Sequence, residues 1–509
     1  MFDELPQVQF SEVLTGRGEI SVEHETAPVT RFRLSRSKHD VRSPWEFEIF
    51  VGDVSRAEFD RVLKRRERPK FTGKTFTGHT LEIPQLRWRR WNIGSGTLTG
   101  IVWEVLIDPE SLPGKPSRQI VTIELSPTTL ALEEKPFLTR WYTGEIKEED
   151  SFSSDKENQL LYWDGLQGRV TLACHYTYEN ARVGETQSLV QIPVSTLQLR
   201  LEGDATSPEP RRLAESVAKE IEGPLRLISF LGRSHVRWSA ICVSSEGKGT
   251  DGRPDFREMH RLRAGVLGDD KSNRDWGLAN PHSMVPDGLN AMVTALQRSP
   301  YREVLLSAMV YLVTGYDTSI AESSLVSSFT ALEAIANGIG GVDGTGQILD
   351  VAGFRRLKKH VEAAIRGHAH DQGMPAELLP PILAKLSELN RRPIVPRVCA
   401  LIERYRVDCR DLWPDDPLEV GLRKMFSVRN EFVHMGHIDM KGRAYIAARR
   451  AHILGERLIW QILGGRWQWE HVSSYSGTDG LRAWEKELDE EEKAGPSGAR
   501  NADGQEPAP

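Results

Sequence analysis

The spacing of apolar residues changes period partway along the chain, and this switch excludes any fold built from strands alone or helices alone. Up to about residue 200, apolar and β-branched residues come in short runs at 47–51, 98–107, 120–125, 169–178 and 188–194, separated by Gly, Pro, Asp and Ser. A strand turns successive side chains to opposite faces, so runs of this length and composition predict strands. No helix is interleaved in the βαβ manner, so the sheet is expected to be mostly antiparallel, a sandwich or barrel. The string from Thr72 to His79 superficially resembles a phosphate loop but does not complete that pattern, and it reads as a hairpin.

From Glu209 the period lengthens. Leu213, Val217, Ile221, Leu225 and Ile228 are spaced by three or four, which predicts one amphipathic helix over 211–231. A strand over 236–243 follows, and then a polar stretch from 244 to 286 that reads as a long connection or irregular subdomain. Helical periodicity then covers 301–314, 319–337, 352–366, 375–390, 396–412, 417–435 and 444–463. Asp415-Asp416-Pro417 is a helix start, and Gly338 and Gly436 read as stops. From Ser476 the composition turns to Glu, Lys, Gly, Pro and Ala, which predicts a disordered tail. The expected fold class is therefore α+β and multidomain. It comprises a β-rich domain over 1–205, a connecting region over 206–285, an all-α bundle over 286–470 and a tail over 471–509.

Bulk properties narrow the function. A net charge of −6 argues against a surface coated in positive charge for indiscriminate nucleic-acid binding, although it leaves room for a local basic patch. Cations are mostly Arg, 48 against 18 Lys, and Arg is the better fork for a phosphate, although codon usage rich in G and C produces the same bias. Cys174, Cys242, Cys399 and Cys409 form no CxxC and no Cys/His cluster at zinc spacing, so neither a disulfide framework nor a structural zinc is expected. The first ten residues lack the apolar core of a signal peptide, and charges interrupt every apolar run before it reaches membrane-spanning length. The expected location is cytoplasmic, with no membrane partner and no cofactor or metal.

One segment carries candidate chemistry: Ser427-Val428-Arg429-Asn430-Glu431-Phe432-Val433-His434. The spacing Arg-x4-His says little, because Arg355–His360 and Arg466–His471 share it. Context separates the three. Asn430 follows Arg429 and can orient a phosphate or the histidine. Arg429 also falls on the stripe formed by Leu418, Leu422, Met425, Phe432 and Val433, where a charge must be paired or used. Arg355–His360 lies in a basic run that reads as a solvated face, and Arg466–His471 follows the last good helix.

Arg-Asn-x3-His near a helix end, followed by another long amphipathic helix, resembles the HEPN superfamily. The upstream Val326-Ser327-Ser328-Phe329-Thr330-Ala331-Leu332-Glu333-Ala334-Ile335 is similar to its ApeA-like branch, which also carries an N-terminal β-rich domain. The resemblance covers residues 286–469 and extends to the N-terminal half by architecture alone. It implies a metal-independent endoribonuclease of bacterial anti-phage defence, by abortive infection, or of toxin-type growth arrest. His434 would then be the acid/base, Arg429 the phosphate clamp and Asn430 a positioning group. RNA supplies its own nucleophile in the 2′-OH, so a base, a proton donor and positive charge on the phosphate suffice. Glu333 is a secondary candidate, either in the site or as a salt-bridge partner of Arg429. His437 either joins the site or simply follows the helix end, the second being the preferred reading.

Five residues along an ideal helix turn through about 500°, which leaves Arg429 and His434 roughly 140° apart. Either the helix ends or distorts before His434, or a second subunit completes the site. The resemblance implies a dimer with two motifs facing each other, which this spacing suits, so a homodimer through the helical bundle is expected. A phage-derived molecule is the expected kind of trigger, with the β half sensing or restraining. Two further readings stand beside this one. The helical half is a non-catalytic HEPN module for RNA or nucleotide binding or dimerisation, or the β domain is the working part. In the latter case Arg87-Trp88-Arg89-Arg90-Trp91 alternates cations with rings suited to stacking on bases, and Trp103 is a further aromatic candidate.

Overall fold

In a computed structural model, the described residues are 13–22, 24–35, 45–50, 61, 68–92, 97–108, 115–125, 159–165, 168–183, 186–202, 206–207, 209–233, 235–248, 253–263, 286–317, 321–344, 346–435, 442–464 and 478–494. The chain divides into two compact units, Met1–Val293 and Thr294–Pro509. The architecture is α+β, an antiparallel sheet in the first unit and helices in the second.

The first unit contains β1 (Val13–Val22), β2 (Glu25–Ser35), β3 (Trp45–Phe50), β4 (Lys70–Thr75), β5 (Thr80–Ile83), β6 (Leu86–Asn92) and β7 (Thr97–Val102). They are followed by β8 (Glu104–Ile107), β9 (Arg118–Leu125), β10 (Gln159–Gly165), β11 (Gly168–Val183), β12 (Thr186–Glu202), β13 (Trp238–Lys248) and β14 (Pro254–Arg263). They form one sheet in the order β10-β11-β12-β9-β13-β14-β8-β5-β4-β1-β2-β3-β7-β6. The run over 98–107, read as a single strand, breaks at the exposed Trp103. Its first half pairs with β3 and its second half with β5 and β14, so the sheet curls into a half-barrel. Inside the curl Phe71 meets Phe32 and Phe47 edge-on, at centroid separations of 5.0 and 4.9 Å. Gly18 lies under this cluster, where a Cβ would fall 2.6 Å from the Phe71 ring, so only glycine fits. The phosphate-loop-like string is indeed a turn between β4 and β5, with Gly78 at φ +99.

The connecting region is corrected by the sheet. Both β13 and β14 are full members of it, β13 pairing with β9 and β14 with β8, so residues 244–248 and 254–263 of the polar stretch are strand rather than loop, and 264–285 lie outside the described residues. Its polarity misled because antiparallel strands tolerate polar residues on one face. The single helix expected over 211–231 is two, α1 (Pro210–Glu220) and α2 (Glu222–Gly232). Pro224, in the first turn of α2, has no N–H to continue the α1 ladder.

Helix α3 (Pro286–Arg298) crosses the division between the units. The second unit continues with α4 (Arg302–Asp317), α5 (Ala321–Val342), α6 (Val351–Asp371), α7 (Leu379–Lys385), α8 (Ile394–Tyr405), α9 (Leu418–Met435), α10 (Arg443–Ile462) and α11 (Thr478–Ala494). Helix α10 is buried almost all round and packs against α4, α5, α8, α9 and α11. Gly338 does not stop α5, which runs on to Val342. A Cβ there would lie 2.3 Å from Val304, so the glycine lets α4 approach closely instead. Residues 321–342 are also corrected in another respect. Glu322–Val342 is long and apolar enough to cross a membrane by length and composition, and half of the window is buried inside the protein.

The tail expected to be disordered contains α11. Leu481 and Leu488 are buried, and Arg450 on α10 holds Glu485 through two hydrogen bonds of 2.7 and 2.6 Å. Two leucines one heptad apart supplied the apolar stripe, hidden within a run of charges.

Candidate functional site

The middle of α5 and the last turns of α9 bring together the residues singled out in the helical half. Arg429 Nη2 lies 2.8 Å from Glu333 Oε1, each side chain about 29% exposed, and Arg429 Nη1 donates to Asn430 Oδ1 at 3.1 Å. Helical spacing places Met425 and Phe426 against the core one turn before Arg429, so the guanidinium leaves the apolar stripe at its edge. Val433, assigned to that stripe, is instead 53% exposed.

Two further arginines join this cluster, and sequence reasoning missed both. Asn337 lies one turn beyond Glu333 on α5, and its Oδ1 accepts from Arg391 Nη2 at 2.8 Å and from Arg397 Nη1. Arg397 is 8% exposed and also donates from Nε to the Pro393 carbonyl at 3.3 Å. Burial first, and then the adjacent Arg391 guanidinium, push Arg397 below its ordinary value, while the Glu333 carboxylate acts in the opposite direction. Three guanidiniums thus gather along one α5 face, Arg429 paired with the Glu333 carboxylate and Arg391 and Arg397 bonded to the Asn337 amide oxygen. Arg391 and Arg397 belong to a segment whose sequence signals only a helix start, and no local pattern points them at Glu333.

Helix α9 runs without interruption through His434 to Met435, so the proposal that it ends or distorts before His434 is overturned. The two positions stay roughly 140° apart on a regular helix. The His434 side chain and residue His437 lie outside the described residues. So do Arg466 and His471, whereas Arg355 and His360 are both exposed on α6, as expected of a solvated face.

A second polar group lies deeper. Ser328 on α5 is 3.4 Å from His452 Nδ1 on α10, and His452 Nε2 is 3.1 Å from Glu456 Oε1. The residue types resemble a nucleophile, base and orienter. Their exposures of 0, 3 and 3% leave no path for substrate, so the group ties α5 to α10.

In the β half, Arg87 and Arg89 are exposed on β6, but Trp88 packs against the sheet core with its Nε1 buried. Trp88 is only partly buried, so this packing leaves less of its ring open for a base to stack on than a fully exposed side chain would offer. The side chains of Arg90 and Trp91 lie outside the described residues. Trp103 is exposed at the β7–β8 break.

The described thiols are sheltered. Burial pushes Cys242 and Cys409 up to about 12, and Cys399 is raised less. Because both folded values stand above the unfolded 9.0, their stabilising contribution is complete below pH 9 and is lost as pH rises through about 12. In native protein at pH 8, Cys242 and Cys409 are expected to resist an aromatic disulfide reagent until denaturant is added, with half-buried Cys399 reacting first. Rapid native labelling of Cys409, located by peptide mass, would contradict its burial.

The fold and this cluster define an α+β protein with an antiparallel β half and a helical half in which Arg429, Arg391 and Arg397 gather beside Glu333 and Asn337. No family model matches the chain, and no curated protein or solved structure matches it.

Proposed function

We propose that the helical half is a HEPN-type endoribonuclease, ApeA-like in organisation, that cuts RNA without metal by attack of its own 2′-OH. The observation that supports this best is the gathering of Arg429, Arg397 and Arg391 beside Glu333 and Asn337. A phosphodiester is the natural counter-ion for such a surplus, and forked guanidiniums bind its oxygens in pairs. Arg429, partly exposed and at the edge of the stripe, holds the scissile phosphate. Asn430 positions it, Glu333 keeps the Arg429 fork in place, and His434 moves the proton.

Because α9 is continuous, Arg429 and His434 of one chain do not face one phosphate. The active unit is a homodimer through the helical half, with Arg429 of one subunit working with His434 of the other. Val433 beside His434 and Val326 on α5 are both exposed, in keeping with a face that a second copy covers. The β half senses a phage-derived trigger and restrains the nuclease in the cytoplasm, with Arg87 and Arg89 available to a negatively charged ligand.

Mixing inactive variants tests the shared site. Arg429→Ala and His434→Ala chains, each inactive alone, are expected to regain about a quarter of wild-type cleavage when co-refolded, since half the dimers are mixed and each has one whole site. No recovery, with mixed dimers verified by native mass spectrometry, would place both residues of a site in one chain.

The Arg429–Glu333 pair also favours a second reading, a non-catalytic RNA- or nucleotide-binding module in which the ion pair is structural. RNA binding that depends on Arg397 with no cleavage product would select it.

A further inference from the structure

The sheet does what the sequence spacing does not: it brings a cysteine, a histidine and a glutamate together. Cys242 on β13 is the register partner of His260 on β14, and Ser244 is the partner of Glu258. Alternation puts all four side chains on one face, the face that carries Ala240 and Leu262 into the half-barrel core. The ligand atoms of Cys242, Glu258 and His260 lie within 4.8 Å of one another. His260 Nε2 is 3.5 Å from Glu258 Oε2, close to the edge of about 3.4 Å in a tetrahedron of first-row metal ligands. Ser244 Oγ links the remaining pair, 3.6 Å from the Cys242 sulfur and 3.1 Å from Glu258 Oε1.

An independent observation points at the same place. Thr122 on β9 is the register partner of Cys242 on its other side, which brings the Cβ atoms to about 5 Å. Thr122 is 9% exposed, and its Oγ1 is buried without a hydrogen-bond partner. A buried hydroxyl left in that state forfeits its hydration without recompense, so it marks a position where a ligand is wanted.

We propose that Cys242, Glu258 and His260 bind one divalent transition-metal ion of the zinc class, with Thr122 Oγ1 or a water at the fourth position. A thiolate and a carboxylate balance the double positive charge, and the imidazole joins as a neutral donor. On binding, the sulfur–metal bond forms as the thiol proton passes to solvent. Cys242 and His260 are buried while Glu258 is 28% exposed, so the ion enters past Glu258 at the rim. This site is in the β half and takes no part in the proposed RNA cleavage.

Cobalt(II) is the probe, added to the full chain after treatment with chelator. About one equivalent is expected to produce the near-ultraviolet thiolate charge-transfer band and intense visible bands of a tetrahedral site, both abolished by excess zinc. Cys242→Ser should remove the charge-transfer band, and Glu258→Gln should weaken binding about tenfold or more. Should Cys242→Ser fail to fold by circular dichroism, Glu258→Gln decides alone, since its side chain reaches the surface. Absence of the band in the wild type, persistence in folded Cys242→Ser, or unchanged affinity in Glu258→Gln overturns the site.

Discussion

Alanine at Arg429 or at His434 is expected to lower RNA cleavage by about 100-fold or more, the usual loss when a positioned acid/base or a charge on the reacting phosphate is removed. Both variants should fold, because Arg429 stands at the edge of the core beside an exposed Val433 rather than within it. Arg355→Ala should cut at the wild-type rate, since Arg355 shares the Arg-x4-His spacing but is exposed on α6. Glu333→Gln is informative in a different way. It keeps the shape and one hydrogen bond to Arg429 but removes the charge, so it should lower cleavage less than Arg429→Ala does. The assay is a defined RNA oligonucleotide with the products resolved by mass, where a 2′,3′-cyclic phosphate end reports 2′-OH attack. Equal rates for all four proteins, or products bearing 3′-hydroxyl ends, would remove the nuclease from this site.

The second large effect concerns stability. Arg457 on α10 is 3% exposed and forks onto Asp411 through two contacts of 2.6 Å, with a third hydrogen bond of 2.7 Å to the Asp408 carbonyl. Asp411→Ala strips a buried guanidinium of its carboxylate, at a cost of about 3–5 kcal/mol. A unit of this size loses roughly 2–4 °C per kcal/mol, so Tm should fall by about 10 °C. Replacing both partners, as Arg457→Met with Asp411→Leu, removes the stranded charge and should restore much of the loss. A fall of under about 2 °C in Asp411→Ala by calorimetry would mean that the pair is not closed off from solvent. Nearby Asp408 behaves differently. The Arg410 hydrogen bond holds its carboxyl down at about 2, so its contribution is present above the ordinary 3.8 and is lost as pH falls through about 2. That pair is largely exposed, at 90 and 46%, and solvent screening keeps its contribution small.

Local periodicity carried most of the secondary structure. Runs of β-branched residues became β3, β9, β11 and β12, and spacings of three and four became α4, α5, α6, α9 and α10, because both periods follow from backbone geometry alone. Errors arose where a residue served a distant neighbour. Gly338 resembled a helix stop, yet it makes room for Val304, and Leu481 and Leu488 were hidden among charges until α10 gave them a surface.

The candidate site divides along the same line. By itself the sequence determined that Arg429, Asn430 and His434 lie near the end of one long helix, and that their spacing sets Arg429 and His434 on different faces. Tertiary structure alone decided that α9 stays regular through His434, that Glu333 meets Arg429, and that Arg391 and Arg397 arrive at Asn337. It alone also decided that Cys242 and His260, without metal-binding spacing in the chain, stand opposite each other across two strands. The reason is physical. A helix or strand sets its own faces through local dihedrals, whereas which faces meet depends on burying apolar surface shared by residues far apart in the chain.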